Sequence, residues 1–135
     1  MDPIIENWRT QIRKGYLELC ILILILENQR LYGFEILERM TGFGLSMKEG
    51  TLYPLLNRMT VDGILASVWE TKASKGHPRK FYSITERGKR VLGEMRSEFD
   101  RMTAVFNQLN QSKPEYPAVV VRRVTAFGCD ALAPG

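Results

Sequence analysis

The chain has 135 residues, of which 44% are hydrophobic and 25% are charged, a composition that excludes a disordered chain and allows one domain with an extra arm. The net charge of +4 weakly favours a polyanionic partner, because basic surfaces displace counterions from phosphates. The longest apolar run, Leu19–Leu26, is too short to span a bilayer and the N-terminus lacks a signal-peptide pattern, so we expect no membrane contact and a cytoplasmic location.

The first predicted element is a helix from Pro3 to about Asn28. Proline suits the first turn of a helix, and apolar residues recur at helical spacing after it. The run Leu19–Leu26 is apolar on every side, which indicates an enclosed segment, although its β-branched residues leave a strand as the alternative. Cys20 lies in this run, and because Cys129 is its only possible partner we expect a free thiol rather than a disulfide framework.

Two shorter helices follow. The second ends at Thr41-Gly42, where Gly42 can supply a left-handed cap. Ser46 and Glu49 have the spacing of a capping box, which predicts the start of a third helix that ends before Asp62. The apolar side of this third helix is formed by four residues at helical spacing, Leu52, Leu55, Leu56 and Met59.

The helical period then gives way to two β-branched and aromatic runs, Ile64–Glu70 and Lys80–Ile84, which predict a hairpin that needs support from the helices. Thr85 is predicted to cap a long fourth helix. Apolar residues recur along that helix at alternating spacings of three and four, which predicts pairing with another helix along its length. We interpret this apolar seam as a dimerisation surface that consists of Leu92, Met95, Phe99, Met102, Phe106 and Leu109.

The order of elements predicts a mainly α fold with a small β-hairpin, namely a winged helix-turn-helix plus a long C-terminal dimerisation helix. We expect a DNA-binding domain at 1–84, the dimerisation helix at 85–111 and a tail at 112–135. The tail contains three prolines and no period, so an extra arm, a disordered extension and residues added by cloning all remain open. Its Val119–Val121 run is compatible with an edge strand.

The third helix is the candidate for the major groove, because the second helix of a helix-turn-helix takes that position. On its outward side Asn57 and Arg58 can reach base edges, Thr51 and Tyr53 can hold phosphates, and Lys48 adds positive charge. The alternative is an ordinary solvated helix face, since such faces carry the same residue types.

The loop between the two strands is the second candidate for DNA contact. It contains no acidic residue, and its side chains suit phosphates or a minor groove. The alternative is a solvated turn that lysines keep soluble. The candidate residues of this wing are Lys72, Lys75, His77, Arg79 and Lys80.

Three motifs in residues Lys14–Leu92 resemble the PadR family of regulators, in the order of that family. They are KGYLELCILILILENQRLYGFEIL for the first two helices, EGTLYPLLNRMTVDGIL for the recognition helix and first strand, and KGHPRKFYSITERGKRVL for the wing and the start of the last helix. The proline inside the third helix fits the family pattern, whereas Met59–Val61 lacks the charge that many relatives have there. The resemblance implies a homodimer that contacts its twin through the first and last helices, a pseudo-palindromic double-stranded DNA operator, and repression that an effector relieves.

The resemblance further implies that a small aromatic ligand can bind at the centre of the dimer. Phe99 lies in the middle of the seam and Trp8 lies on the first helix, so these are the candidate effector contacts. The alternative for Phe99 is structural, because a phenylalanine at such a seam position usually fills a core.

Enzyme chemistry, cofactors and bound metals are not expected. The single histidine, His77, lies in the predicted wing, and the sequence contains no Cys/His cluster, no credible Ser-His pair and no glycine-rich phosphate loop. The alternative from another class is a winged-helix module that binds protein without DNA. The basic wing argues against that alternative.

Overall fold

The structure is a computed structural model that describes residues 1–71 and 77–111. Within these ranges the fold is mainly helical with a small antiparallel sheet, which confirms the predicted fold class. The elements in chain order are α1 (Pro3–Asn28), β1 (Leu31–Tyr32), α2 (Gly33–Gly42), α3 (Glu49–Val61), β2 (Leu65–Glu70), β3 (Arg79–Ile84) and α4 (Glu86–Gln111). None of the helices in the described ranges combines the length and apolarity that crossing a membrane requires.

Helix α1 spans the predicted residues. Asp2 caps it, because its side-chain oxygen accepts a hydrogen bond from the backbone N–H of Ile4 at 2.8 Å, and Pro3 occupies the first turn. The run Leu19–Leu26 is helical and contains no exposed residue, so the helical prediction is confirmed over the strand alternative. Ile25 within this run is fully buried.

The boundaries of the next two helices correct two predictions. Gly42 does not cap α2 in a left-handed conformation; it stays within the helix, and the positive φ of 85° falls on Gly44. Ser46 and Glu49 do not form a capping box, because the N-cap of α3 is Lys48 and Ser46 lies two residues too early. The carbonyl of Ser46 instead accepts a hydrogen bond from the guanidinium of Arg13 on α1.

The sheet contains one strand more than the predicted hairpin. Its order is β1-β3-β2 with both pairs antiparallel, and Tyr82 on β3 lies opposite Leu31 on β1 and Ser67 on β2. Because residues that face each other across strands share one side of a sheet, Leu31, Leu65 and Tyr82 lie on the same side, and all three are buried. β3 packs against α1 and β2 against α3, so the helices support the hairpin.

The start of α4 is fixed by the cap that the sequence predicts. The hydroxyl of Thr85 accepts a hydrogen bond from the backbone N–H of Gly88 at 2.9 Å and donates one to the carbonyl of Gly63 at 2.6 Å. Gly88 and Leu92 are buried inside the chain. The chain divides into two units between Met95 and Arg96, and the tail from residue 112, which includes Val119–Val121 and Cys129, lies outside the described residues.

Candidate nucleic-acid interface

Helix α3 has the two faces that its sequence predicts. Its apolar side is enclosed against the rest of the Met1–Met95 unit, and the four predicted residues are at most 5% exposed. Burial of this side fixes the rotation of the helix, so the opposite side must face solvent. The residues on that side are all exposed, namely Gly50, Thr51, Tyr53, Pro54, Asn57, Arg58 and Val61.

Tyr53 belongs partly to this outward face and partly to the packing between α2 and α3. Its ring and hydroxyl lie so close to Gly33, the first residue of α2, that a Cβ atom on Gly33 would overlap them. Burial raises the pKa of the Tyr53 hydroxyl, with a smaller contribution from the negative charge of Glu49. Tyr53 therefore holds the start of α2 against α3 and remains 38% exposed.

Arg58 on α3 pairs with an acid on another helix. Its guanidinium forms an ion pair with the carboxylate of Glu18 on α1. The side chain of Glu18 is 18% exposed and that of Arg58 is 43% exposed, so the pair lies at the edge of the core. Forty residues separate the two positions, and no sequence spacing indicates the contact. Arg58 is therefore partly engaged by an acid of its own chain.

The base of the wing carries cations that lie over aromatic rings. The guanidinium of Arg79 lies 4.6 Å from the centre of the Tyr32 ring. The ammonium of Lys80 lies 5.8 Å from both the Trp69 and the Tyr82 rings. The rings attract these cations, and neither Arg79 nor Lys80 forms an ion pair with an acid among the described residues.

Arg30 is a further cation beside the wing, and it was not among the predicted DNA contacts. Its guanidinium lies 4.0 Å from the centre of the Phe81 ring and 2.9 Å from the carboxylate of Glu70. The hydrogen bond from Arg30 lowers the pKa of Glu70 below its ordinary value. The Glu70 carboxylate therefore stays ionised to a lower pH than a free glutamate does. Glu70 lies opposite Arg79 in the sheet but pairs with Arg30.

The other predicted wing residues divide into two groups. His77 is exposed at the end of the loop, next to the described strand β3. Lys72 and Lys75 lie outside the described residues. Of the residues predicted to contact DNA, Arg79, Lys80 and His77 lie together at the wing. Lys48 is the N-cap of α3 and lies at the start of its outward face.

The seam of α4 contains one residue that does not fit its predicted role. Leu92 is only 2% exposed in the single chain, so it is a core residue rather than a surface for a second copy. Met95 and Phe99 are partly buried. Met102, Phe106 and Leu109 are more than half exposed, as is Trp8 on α1.

The described residues offer no site for a metal. No group of three or more histidine, cysteine, aspartate or glutamate side chains that could hold an ion occurs in ranges 1–71 and 77–111. Cys20 is a free thiol, and burial raises its pKa, although a hydrogen bond from Tyr16 acts in the opposite direction.

The helix pair α2 and α3, followed by the strands β2 and β3 with cations at their open end, defines a winged helix-turn-helix protein. A sequence model of the Transcriptional regulator PadR-like family matches residues 21–94, which is more than half of the chain. The chain therefore belongs to the PadR-like family of transcriptional regulators, which bind DNA and are not enzymes.

Three similar proteins illustrate the membership. A PadR family regulator from Eggerthella lenta DSM 2243 is 30% identical, with a TM-score of 0.71 over 82% of this chain and 95% of its own. A PadR-like regulator from Bacillus cereus strain ATCC 14579 is 33% identical, with a TM-score of 0.67 over 76% and 99%. The transcriptional regulator Rv3488 of Mycobacterium tuberculosis is 28% identical over 92 residues, which are 68% of this chain and 83% of that protein.

Proposed function

We propose that this regulator is a homodimeric repressor that binds a pseudo-palindromic operator and is released by a small aromatic effector. In this proposal residues 1–84 contact DNA and residues 85–111 join the two copies. The observation that carries it is the outward face of α3, which carries Thr51, Asn57 and Arg58 and is exposed because four apolar residues on the opposite side are enclosed.

The proposed contacts on α3 follow from their side chains. Asn57 is exposed at the middle of the outward face, where its amide can pair with the two hydrogen-bonding atoms of an adenine. Lys48 and Thr51 lie at the N-terminal end and suit phosphates. Arg58 joins them after it exchanges Glu18 for DNA, and Tyr53 orients α3 through its packing on Gly33.

The wing supplies contacts that do not depend on sequence. Arg79, Lys80 and His77 lie at the open end of the hairpin, and Lys72 and Lys75, which lie outside the described residues, are proposed contacts on the basis of the sequence. Such side chains neutralise phosphates, so their effect depends on salt and not on base sequence.

The proposed dimer forms through exposed apolar residues of α4, one helix from each copy. Met102, Phe106 and Leu109 on α4 are apolar side chains that a second copy would cover, with Met95 and Phe99 beside them. Phe99 and Trp8 are the proposed effector contacts, and Trp8 is 58% exposed, so its ring can stack on a flat molecule. Leu92 takes no direct part.

The test is the affinity for duplex DNA, measured by fluorescence anisotropy at two salt concentrations. We expect Lys80→Ala to weaken binding to every duplex and to reduce the salt slope by about one, because one phosphate contact is lost. We expect Asn57→Ala to cost about 1–3 kcal/mol on the operator and little on other duplexes. Arg90→Ala, which removes an exposed charge of α4, is the matched control. A protein with no salt-sensitive affinity for any duplex would contradict the proposal.

A further inference from the structure

The three residues that follow α3 form a compact turn. Asp62 is the C-cap of α3, and Gly63 after it has a left-handed φ of 77°. The backbone N–H of Gly63 donates to the Thr60 carbonyl at 3.0 Å. The backbone N–H of Ile64 donates to the Met59 carbonyl at 2.9 Å. This pair of hydrogen bonds is a Schellman motif, which ties the turn to the last turn of α3.

The carbonyls of the same three residues accept hydrogen bonds from the start of α4. Nε of Arg87 donates to the Asp62 carbonyl at 3.1 Å. The hydroxyl of Thr85 donates to the Gly63 carbonyl at 2.6 Å, and the backbone N–H of Thr85 donates to the Ile64 carbonyl at 3.0 Å. We name these contacts the α3–α4 joint. Three successive carbonyls thus connect the end of α3 to the start of α4.

Close packing leaves the α3–α4 joint no room to slide. A Cβ atom on Gly88 would overlap the carbonyl oxygen of Ile64, so the two backbones are already in contact there. A Cβ atom on Gly63 would lie 3.6 Å from Cδ of Arg87, so the arginine side chain passes beside this glycine on its way to Asp62. A shift of α4 against the turn would break hydrogen bonds and force backbone atoms together.

Arg87 holds the joint without burying a charge. Its side chain is exposed, and it forms no ion pair with an acid among residues 1–71 and 77–111. Its positive charge lies at the C-terminal end of α3, where the helix macrodipole is negative. Removal of the side chain therefore loosens the joint, while Thr85 keeps its own hydrogen bonds and the fold is maintained.

We propose that Arg87 is a positioning residue that, through the α3–α4 joint, fixes the separation of the two α3 helices in the dimer and thereby selects the spacing of the half-sites. α4 is one continuous helix from Glu86 to Gln111, and its later turns carry the proposed dimer surface. One added base pair moves a half-site by about 3.4 Å along the DNA and about 35° around it. A firm joint resists that displacement, whereas a loosened joint follows it. The selection of spacing rests on the proposed function; the joint itself does not.

Selection of bound duplexes from a random pool compares the wild-type protein with the Arg87→Ala variant. We expect the wild-type protein to enrich inverted repeats of one spacing, and Arg87→Ala to enrich the same half-site sequence at two or more spacings. Arg90→Ala, which removes another exposed charge of α4, should keep the single spacing. An Arg87→Ala variant that keeps the single spacing would overturn the proposal.

Anisotropy with the selected duplex, and with the same duplex lengthened by one base pair at its centre, measures the selectivity. The wild-type protein should bind the longer duplex at least about ten-fold more weakly, and Arg87→Ala only about two-fold more weakly. Arg87→Lys, which keeps the charge and a donor, should restore most of the difference. The salt slope should be the same in all three proteins. A slope lowered by about one in Arg87→Ala would show that Arg87 itself contacts a phosphate, and would overturn the positioning role.

Amide hydrogen exchange of the free protein tests the joint without DNA. Arg87→Ala should speed exchange at Gly63 and Ile64 by about ten-fold, because the turn opens more readily, and should leave the amides of α1 unchanged. Unchanged exchange at both residues would overturn the proposal. If the wild-type protein selects no inverted repeat, the proposed function fails and the spacing role fails with it. The exchange result then still decides whether Arg87 holds α3 to α4.

Discussion

Arg58 lies on the outward side of α3, yet its guanidinium is paired with Glu18 on α1. Arg58 is partly exposed, whereas the Glu18 oxygen that pairs with it is buried, so solvent reaches the guanidinium and not that oxygen. A nearby phosphate or guanine offers Arg58 another partner, but the exchange leaves the buried Glu18 oxygen without its cation, which costs free energy. The pair therefore opposes DNA contact by Arg58 to a degree that can be measured.

Removal of the Glu18 charge should release Arg58. We expect Glu18→Gln to raise the affinity for duplex DNA a few-fold, because Arg58 no longer has to leave an acid and one negative charge is lost from the vicinity. The measurement is anisotropy at fixed salt. Glu94→Gln removes an exposed carboxylate of α4 and separates the effect of net charge from that of the pair. Equal gains in the two variants would show that Arg58 is not restrained by Glu18.

Gly88 is a residue at which α4 lies very close to the strand region. A Cβ atom added there would overlap the carbonyl oxygen of Ile64 and lie 2.6 Å from Cγ1 of Ile84. We expect Gly88→Ala to lower the free energy of unfolding by about 1–3 kcal/mol, because the backbone of Ile64 cannot move aside without strain. Urea denaturation followed by circular dichroism measures the change.

Gly93 on the same helix is the matched control. An added Cβ would have no neighbour within 4 Å among the described residues, so Gly93→Ala should raise the free energy of unfolding by up to about 1 kcal/mol through helix propensity. If both variants lose stability equally, the close approach at Gly88 is not what the substitution disturbs.

Among the elements, α4 differs in burial between its first turns and its later ones. Its first turns are part of the folded chain, because Gly88 and Leu92 are buried, whereas Met102, Phe106 and Leu109 are exposed. Apolar side chains that keep a heptad spacing while exposed are typical of a helix that pairs with another helix. The proposed dimer surface therefore begins after Leu92.

Charge at this surface should separate the two copies. We expect Met102→Asp and Phe106→Asp to convert the dimer into a monomer, because each site would place like charges near its twin in a dehydrated interface. Both residues are more than half exposed in the single chain, so folding of the monomer should persist. Sedimentation velocity measures the outcome. Ala104→Asp, on the opposite side of α4, should leave the dimer intact; a dimer that survives in all three variants would contradict the assignment.

At the scale of the whole molecule, the proposal requires two copies that present two α3 helices and two wings to one side of a duplex. A twofold dimer of helix-turn-helix units contacts two half-sites one helical turn apart, or a multiple of it, about 34–36 Å along the DNA for one turn. The two half-sites must then be inverted repeats, because the symmetry of the DNA follows that of the protein.

Selection of bound duplexes from a random pool tests this geometry. We expect an inverted repeat whose half-site centres are about 10 base pairs apart, or a multiple of that distance. The Met102→Asp variant, selected in parallel at lower salt, should enrich single half-sites. Enrichment of direct repeats or of no sequence at all would contradict the twofold dimer.

The fold followed from the sequence wherever a local pattern was strong. The helical period and the cap residues predicted α1, α3 and α4 within a residue or two, including the cap at Thr85. The two-residue strand β1 was not predictable, because it exists only through its pairing with β3. The capping box at Ser46 was wrong because α3 begins only after Lys48, and the Ser46 carbonyl is instead bonded by Arg13, which is distant in sequence.

What the sequence determined by itself is the order of the elements, the division of α3 into a buried and an outward side, and the cationic wing. These features depend on residue type and on spacing along one helix or strand. The tertiary structure decided which side chains are committed elsewhere: Arg58 to Glu18, Tyr53 to Gly33, and Leu92 to the core. Those contacts join residues far apart in the chain, and only packing of the helices brings them together.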